Sequence, residues 1–130
     1  MRRVFRVNAK GKRRIPGEMS KTELAYSQYL ELRKRANEIQ DWWYEPLSFR
    51  LAKQTNAILD FMILDNDGFI TMVDTKGSTK VTRKDGTVDT VAYSMDKSKA
   101  KIKIAADMFP FRFVFSWFDK RQGTWMEQEF

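Results

Sequence analysis

The sequence predicts a mixed α+β domain of the α/β class, in which helices flank a small mixed β-sheet. Two apolar segments, residues 58–64 and 69–77, are separated by a short polar turn and predict a central hairpin. Residues 111–117 alternate between aromatic and other side chains, which predicts a further strand. Helical patterns begin near Ser20 and Ser94. With 130 residues, the chain is long enough for one domain with a core and too short for two.

The composition narrows the chemistry that is available. Apolar residues make up 42% of the chain and there is no cysteine or histidine. Thiolate and imidazole metal sites, disulfides and histidine bases are therefore excluded, which leaves carboxylates, lysine, tyrosine or a metal-bound water. No apolar run approaches the ~20 residues of a membrane span. The first residues lack the apolar core of a signal peptide. We therefore expect a cytoplasmic protein with no membrane partner.

The positive charge is concentrated at the start of the chain. The net charge is +7, and residues 1–21 contain eight basic residues against Glu18 alone, whereas the other 109 residues contain 16 of each sign. We expect residues 1–19 to form a flexible basic arm that contacts nucleic acid, ahead of a single domain at 20–130. A solubilising tail or a flexible leader is the alternative. The arm residues predicted to bind nucleic acid are Arg2, Arg3, Arg6, Lys10, Lys12, Arg13 and Arg14.

The first helix should begin at Ser20, because Ser20 and Glu23 have the spacing of a capping box. Apolar residues at helical spacing predict its buried face. They are Ala25, Tyr29, Leu32, Ala36 and Ile39. Glu23 lies roughly opposite this stripe, and this helical phase counts against a role in the site. A role as helix cap and a role as metal ligand both remain open. A strand over residues 47–52 should then lead into the hairpin.

The hairpin places two carboxylates opposite each other. If Gly68 closes a three-residue loop in the left-handed conformation, residue 65 pairs with residue 69 and Asp60 faces Asp74. Their Cβ atoms would be roughly 5 Å apart, a distance at which like charges repel unless something lies between them. Lys76 points to the same face as Asp74. This arrangement predicts a divalent-metal site; the alternative is an ion pair on an edge strand, with Asp60 capping a loop.

The rest of the chain continues the alternation of strands and helices. A small second hairpin is expected around the turn Asp85-Gly86, followed by a helix from Ser94 to about Met108 that Pro110 ends. Lys99, Lys101 and Lys103 on that helix are predicted to line a phosphate path beside the site, although a solvated helix face is equally consistent with them.

These motifs, in this order, resemble the PD-(D/E)XK nuclease superfamily, and within it the phage junction-resolving endonucleases of the endonuclease I kind. The resemblance is carried by residues 20–23, 59–61, 73–77 and 111–116, together with the lysine-rich helix and the basic arm, and it covers about residues 18–118. It implies a restriction-endonuclease-like core.

By this resemblance Asp60 and Asp74 are metal ligands for Mg²⁺ or Mn²⁺, Lys76 is the catalytic lysine, and Glu23 is the acid supplied by the helix. Leu59 stands where members of the superfamily often have proline, and Asp74 where many have glutamate. Members of the endonuclease I kind act as homodimers on branched DNA, so the resemblance also implies a homodimer.

The sequence therefore predicts a Mg²⁺-dependent DNA endonuclease that resolves branched DNA such as Holliday junctions during phage DNA recombination, in the host cytoplasm. One alternative is a nuclease of the same fold that cuts linear duplex, of the transposase or restriction type. Others are a non-catalytic DNA-binding module and an RNA-binding protein suggested by the arm alone.

Overall fold

The computed structural model describes residues 17–92 and 96–130. The arm residues 1–16, which include all seven basic residues predicted to bind nucleic acid there, lie outside this part of the chain, as does Ser94. The elements are α1 (Lys21–Arg35), β1 (Ile39–Tyr44), β2 (Ser48–Ala52), β3 (Thr55–Ile58), β4 (Phe61–Asp65), β5 (Ile70–Thr75), β6 (Ser78–Thr82), β7 (Val88–Ala92), α2 (Asp96–Met108), β8 (Arg112–Asp119) and β9 (Thr124–Glu129).

Five of the strands form a mixed sheet in the order β1-β4-β5-β8-β9. Neighbouring strands are antiparallel except β5 and β8, which are parallel. The other strands form two separate two-stranded ribbons, β2–β3 and β6–β7. The expected α+β class, with a mixed sheet and two helices, is confirmed.

Each face of the sheet is covered by one helix. Tyr26 and Leu30 of α1 belong to a buried cluster with residues of β4, β5 and β8. On the opposite face, Ile102 and Ala105 of α2 pack with Phe113 of β8 and with residues of β2 and β3. Because β8 contributes to both clusters, its side chains from residue 113 to 117 are all buried.

The predicted register of the central hairpin is confirmed. Phe61 pairs with Val73 and Leu64 with Ile70, and the backbone N–H of Asp65 donates to the carbonyl of Phe69 at 2.9 Å. Gly68 has a φ of 84°, the left-handed conformation that the three-residue loop requires.

The predicted buried face of the first helix is wrong. Leu32 is 65% exposed, and Ala25 and Ala36 are also exposed. The residues that α1 buries are Glu23, Tyr26, Ser27 and Leu30. Two of these four are polar, so counting apolar residues selected a neighbouring face. Glu23 lies on the buried face of α1, so its helical phase does not count against a role in the site.

Two strand predictions also need correction. Residues 39–44, for which the sequence predicted no strand, form the edge strand β1. The segment 58–64 is not one strand, because β3 ends at Ile58 and β4 begins at Phe61. The remaining predictions hold within the described residues: the β6–β7 hairpin, a helix ending at Met108, and the strand β8. In the described part of the chain, no helix has the length and apolarity needed to cross a membrane.

Candidate active site

Asp60 lies at the point where the chain passes from the β2–β3 ribbon into the main sheet. Leu59 is buried in the cluster beneath α2, whereas Phe61 is buried in the cluster beneath α1. Asp60 stands between them with 8% exposure. Its Oδ2 accepts hydrogen bonds from the backbone N–H of Thr75 at 2.9 Å and from the Thr75 hydroxyl at 2.8 Å. The carboxyl is therefore fixed against β5.

Glu45 is brought to Asp60 by the pairing of β1 with β4. Tyr44 pairs with Phe61, so the next residues along the two chains, Glu45 and Asp60, face each other. The backbone N–H of Glu45 donates to the carbonyl of Asp60 at 2.8 Å. Glu45 has a φ of 46°, a left-handed conformation that costs a residue with a side chain about 1 kcal/mol or more. Such conformations concentrate at functional sites, where the surrounding structure holds them in place.

Glu23 reaches the same point from the first turn of α1. Its backbone N–H donates to the Ser20 hydroxyl at 3.2 Å, as expected for the cap. Its carboxylate instead accepts a hydrogen bond from the Tyr44 hydroxyl, with 2.5 Å between Oε2 and the phenolic oxygen. One carboxylate oxygen from each of Glu23, Glu45 and Asp60 lies within 4.8 Å of the others. The backbone and the side chain of Glu23 thus serve different purposes.

Asp74 and Lys76 lie on the other side of Asp60. Lys76 Nζ is 2.8 Å from Asp74 Oδ2, and it donates to the Ser98 hydroxyl on α2 at 2.8 Å. The ammonium group also lies 5.0 Å from the centre of the Phe115 ring. Both charged side chains are only 18% exposed. Asp74 lies in β5, an interior strand of the five-stranded sheet, and Lys76 directly follows that strand, so the alternative of an edge-strand ion pair does not describe them.

The surroundings of Asp60 favour its neutral form. Burial, and after it the negative charge of Asp74, raises the pKa of Asp60 from 3.8 to about 8. The hydrogen bond from Thr75 acts in the opposite direction and only partly offsets this rise. A cation beside the carboxyl would favour the ionised form.

The donor set fits a hard divalent cation. Three carboxylates from three different elements converge, and carboxylate oxygens are the ligands that Mg²⁺, Mn²⁺ and Ca²⁺ take. Among the described residues, the mutually close group is Glu23, Glu45 and Asp60, whereas Asp74 was predicted as the second ligand. Asp74 adjoins this group through Asp60 and is held by Lys76.

The predicted phosphate path can be located in part. Lys99 is half-buried and Lys103 is exposed on α2. A cleft of about 130 Å³ separates α2 from β3 and is lined by Asp74, Ser98 and Lys101 among others. The Lys101 ammonium donates to the carbonyl of Asn56 at 3.2 Å across this cleft. Lys101 is the lysine of α2 that lines this cleft with Asp74, whereas Lys99 and Lys103 are not among its lining residues, so their role on a phosphate path stays a prediction.

Three contributors to the site were missed in the sequence: Glu45, Tyr44 and Ser98. Glu45 and Tyr44 lie at the end of a strand that was not predicted, so their register against Asp60 was not available. The acidic residue directly before Pro46 was the one local signal. Ser98 was hidden among the lysines of α2, since a single serine in a helix carries no pattern.

Comparison of the chain with models of protein families, with curated proteins and with solved structures found no match.

Proposed function

We propose that the protein is a Mg²⁺-dependent DNA endonuclease that hydrolyses phosphodiesters, acting as a homodimer on branched DNA such as a four-way junction. The observation that carries this proposal is the convergence of the Glu23, Glu45 and Asp60 carboxylates next to the Asp74–Lys76 pair. A cation site alone is common among proteins. Metal-assisted hydrolysis also needs a group such as a lysine held beside the cation site, and Lys76 lies there at the end of an interior strand.

The arrangement of the elements supports the same reading. The resemblance to PD-(D/E)XK nucleases was carried by a helix with Glu23, a strand around Asp60, a hairpin leading to residues 73–77, a lysine-rich helix and a strand over residues 111–116. Helix α1, the β4–β5 hairpin, α2 and β8 occur in that order, with β1 to β3 and the β6–β7 ribbon between them. Glu23, Asp60, Asp74 and Lys76 all lie within one continuous region. The restriction-endonuclease-like core is therefore part of the proposal.

Each residue then has a distinct task. Glu23, Glu45 and Asp60 would hold the cation, which supplies an acidified water and neutralises charge on the phosphate. Thr75 fixes the orientation of Asp60, and Tyr44 that of Glu23. Lys76, aligned by Asp74 and Ser98, presents its ammonium group to a phosphate oxygen or to the attacking water.

The test is cleavage of a synthetic four-way junction beside its linear duplex arms, with and without Mg²⁺. The variants are Asp74→Asn and Lys76→Ala. The matched control is Asp107→Asn, since Asp107 is an exposed aspartate of α2. We expect Mg²⁺-dependent cutting that the first two variants lose and the control retains. Asp74→Asn should bind the junction as tightly as the wild type or more tightly, because repulsion of phosphate is reduced.

The outcomes separate the alternatives. Paired, symmetric nicks in the junction alone would support a dimeric resolvase. Equal cutting of linear duplex would retain the nuclease and discard resolution of junctions. Absence of metal-dependent cutting of either substrate, with DNA binding intact, would contradict the nuclease and favour a binding module.

A further inference from the structure

The β6–β7 ribbon and the turn after β8 enclose a second surface feature, distinct from the carboxylate site. An open groove of about 450 Å³ runs between them. Its lining residues are Lys80, Gly86, Thr87, Val88 and Arg121. The ribbon is exposed from residue 80 to residue 88, so the groove is accessible along its length. None of these residues takes part in the site described above.

Arg121 is held in place at the groove. Its backbone N–H donates to the buried carboxylate of Asp119 at 2.9 Å. One guanidinium nitrogen donates to the carbonyl of Val88 on the ribbon. An arginine has five N–H donors, and this contact uses one of them. The guanidinium is therefore pre-oriented across the groove and keeps donors for an anionic ligand.

The segments that form the groove carry a local excess of positive charge. Within residues 78–92 and 119–123 there are five basic and three acidic residues. Asp89 pairs with Arg83 at 2.6 Å, and Asp119 is buried. In the part of the chain that the structure describes, Lys80, Lys84, Lys120 and Arg121 form no ion pair. From residue 17 onward the chain carries 17 basic and 17 acidic residues, so this surplus is a feature of the groove and not of the whole body.

The groove lies at the same edge of the sheet as Lys76. Strands β5 and β8 are parallel, so their carboxyl ends share that edge, and the backbone N–H of Lys76 donates to the carbonyl of Ser116 at 2.8 Å. Asp119 lies three residues further along β8 than Ser116, which is roughly 10 Å. The ribbon itself starts at Ser78, two residues after Lys76.

We propose that this groove binds the sugar-phosphate backbone of the DNA substrate, with Lys80 and Arg121 contacting phosphates near the one that is cleaved. The choice of DNA rests on the proposed function. The groove reads the backbone and not the bases, since it offers charge and hydrogen-bond donors that match phosphate.

The experiment measures binding without cleavage. Fluorescence anisotropy of a labelled four-way junction, in EDTA and over a range of NaCl concentrations, compares the wild type with the double variant Lys80→Ala/Arg121→Ala. Removing two phosphate contacts should lower the slope of log affinity against log salt by about 2, and should weaken binding at least about tenfold at 0.1 M salt. Lys80→Arg/Arg121→Lys retains the charges and should retain most of the slope.

The matched control is Lys34→Ala/Arg35→Ala, which also removes two cations. These residues lie at the end of α1 remote from the site, about 17 Å along the helix axis from Glu23. The control should bind as the wild type does. Circular dichroism melting of each variant identifies any that is unfolded.

An unchanged affinity and salt slope in the folded Lys80→Ala/Arg121→Ala variant would overturn the proposal, as would an equal loss in the control. Tighter binding of duplex RNA than of the junction, with the same dependence on Lys80 and Arg121, would overturn DNA as the ligand. The nuclease proposal can fail separately. If the wild type never cleaves DNA but the variant loses salt-dependent binding of the junction, the groove proposal is supported and the nuclease proposal is not.

Discussion

At the scale of single residues, the molecule tolerates an unfavourable arrangement around Asp60. The side chain is buried, Asp74 and Glu23 add negative charge beside it, and Glu45 adopts a left-handed conformation to approach it. Buried carboxylates are stabilised by a counter-charge or by a proton. Without a cation the proton satisfies this requirement, which is why the pKa of Asp60 is raised to about 8.

The raised pKa of Asp60 predicts how stability depends on pH. Because the folded-state pKa lies above the ordinary value of 3.8, the folded protein holds the proton more tightly than the unfolded chain between pH 4 and 8. In EDTA, the free energy of unfolding should therefore fall as the pH rises through this range. Asp60→Asn should lose this part of the fall, whereas the control Asp107→Asn should keep it. Urea unfolding at pH 6 and 8.5 measures the difference, and identical pH profiles for wild type and Asp60→Asn would contradict the assignment.

Glu45 provides a test of the metal site that the sequence alone did not supply. Glu45→Gln removes one charged ligand, so the affinity for Mn²⁺ measured by calorimetry should fall at least about tenfold. Glu38→Gln is a suitable control, because Glu38 is an exposed glutamate at the opposite end of β1. If both variants bind Mn²⁺ as the wild type does, the cation is held by other residues.

At the scale of elements, α1 has two separable functions that meet at Glu23. Ser20→Ala should reduce the free energy of unfolding by about 1 kcal/mol, since it removes the cap, and should leave Mn²⁺ affinity unchanged. Glu23→Gln should weaken Mn²⁺ binding and leave stability equal or higher, since it removes a buried charge. Urea unfolding and calorimetry on both variants measure this. A loss of stability in Glu23→Gln with normal Mn²⁺ affinity would return Glu23 to the role of a helix cap.

The elements also show how far the sequence could be read. The hairpin register followed from Gly68 and the strand alternation, and so Asp60, Asp74 and Lys76 were found together. The buried face of α1 was missed because Glu23 and Ser27 occupy it, and a polar buried residue has no hydrophobic signature. Strand β1 was missed because its pattern around Trp42 and Trp43 does not alternate between apolar and polar residues. The position of Glu45 opposite Asp60 follows from the pairing of β1 with β4, so Glu45 was missed as a site residue as well.

Helix α2 contacts the end of β5 through the hydroxyl group of Ser98. Ser98 accepts a hydrogen bond from Lys76 at 2.8 Å and so helps to hold the ammonium group beside Asp74. If the protein cleaves DNA, Ser98→Ala should lower kcat about tenfold with little change in KM, because Lys76 would sample other rotamers. Ser98→Thr retains the hydroxyl and should recover activity. Ser48→Ala, an exposed serine on β2, serves as the control. If Ser98 had only a structural role, Ser98→Ala would lower the melting temperature, and activity would fall in proportion to that loss of stability.

At the scale of the whole molecule, charge is divided between two parts of the chain. The described residues from 17 onward are neutral in sum, with local positive excess at the groove and along α2, whereas the first 16 residues carry seven basic residues and no acidic one. Long-range attraction to a polyanion therefore depends mainly on the arm, and the groove and α2 contribute contacts at short range.

Deleting residues 2–14 should weaken junction binding and reduce its salt dependence. Seven cations are removed, and each that contacts a phosphate contributes about 0.9 to the slope of log affinity against log salt. The association rate at low salt should fall more than the dissociation rate rises, since the loss is mainly of electrostatic steering. Stopped-flow fluorescence at several salt concentrations measures both rates. A variant in which the seven cations are replaced by glutamine keeps the length of the arm and should match the deletion. If the salt slope stays that of the wild type, the arm does not contact DNA, and the groove and α2 must supply the phosphate contacts by themselves.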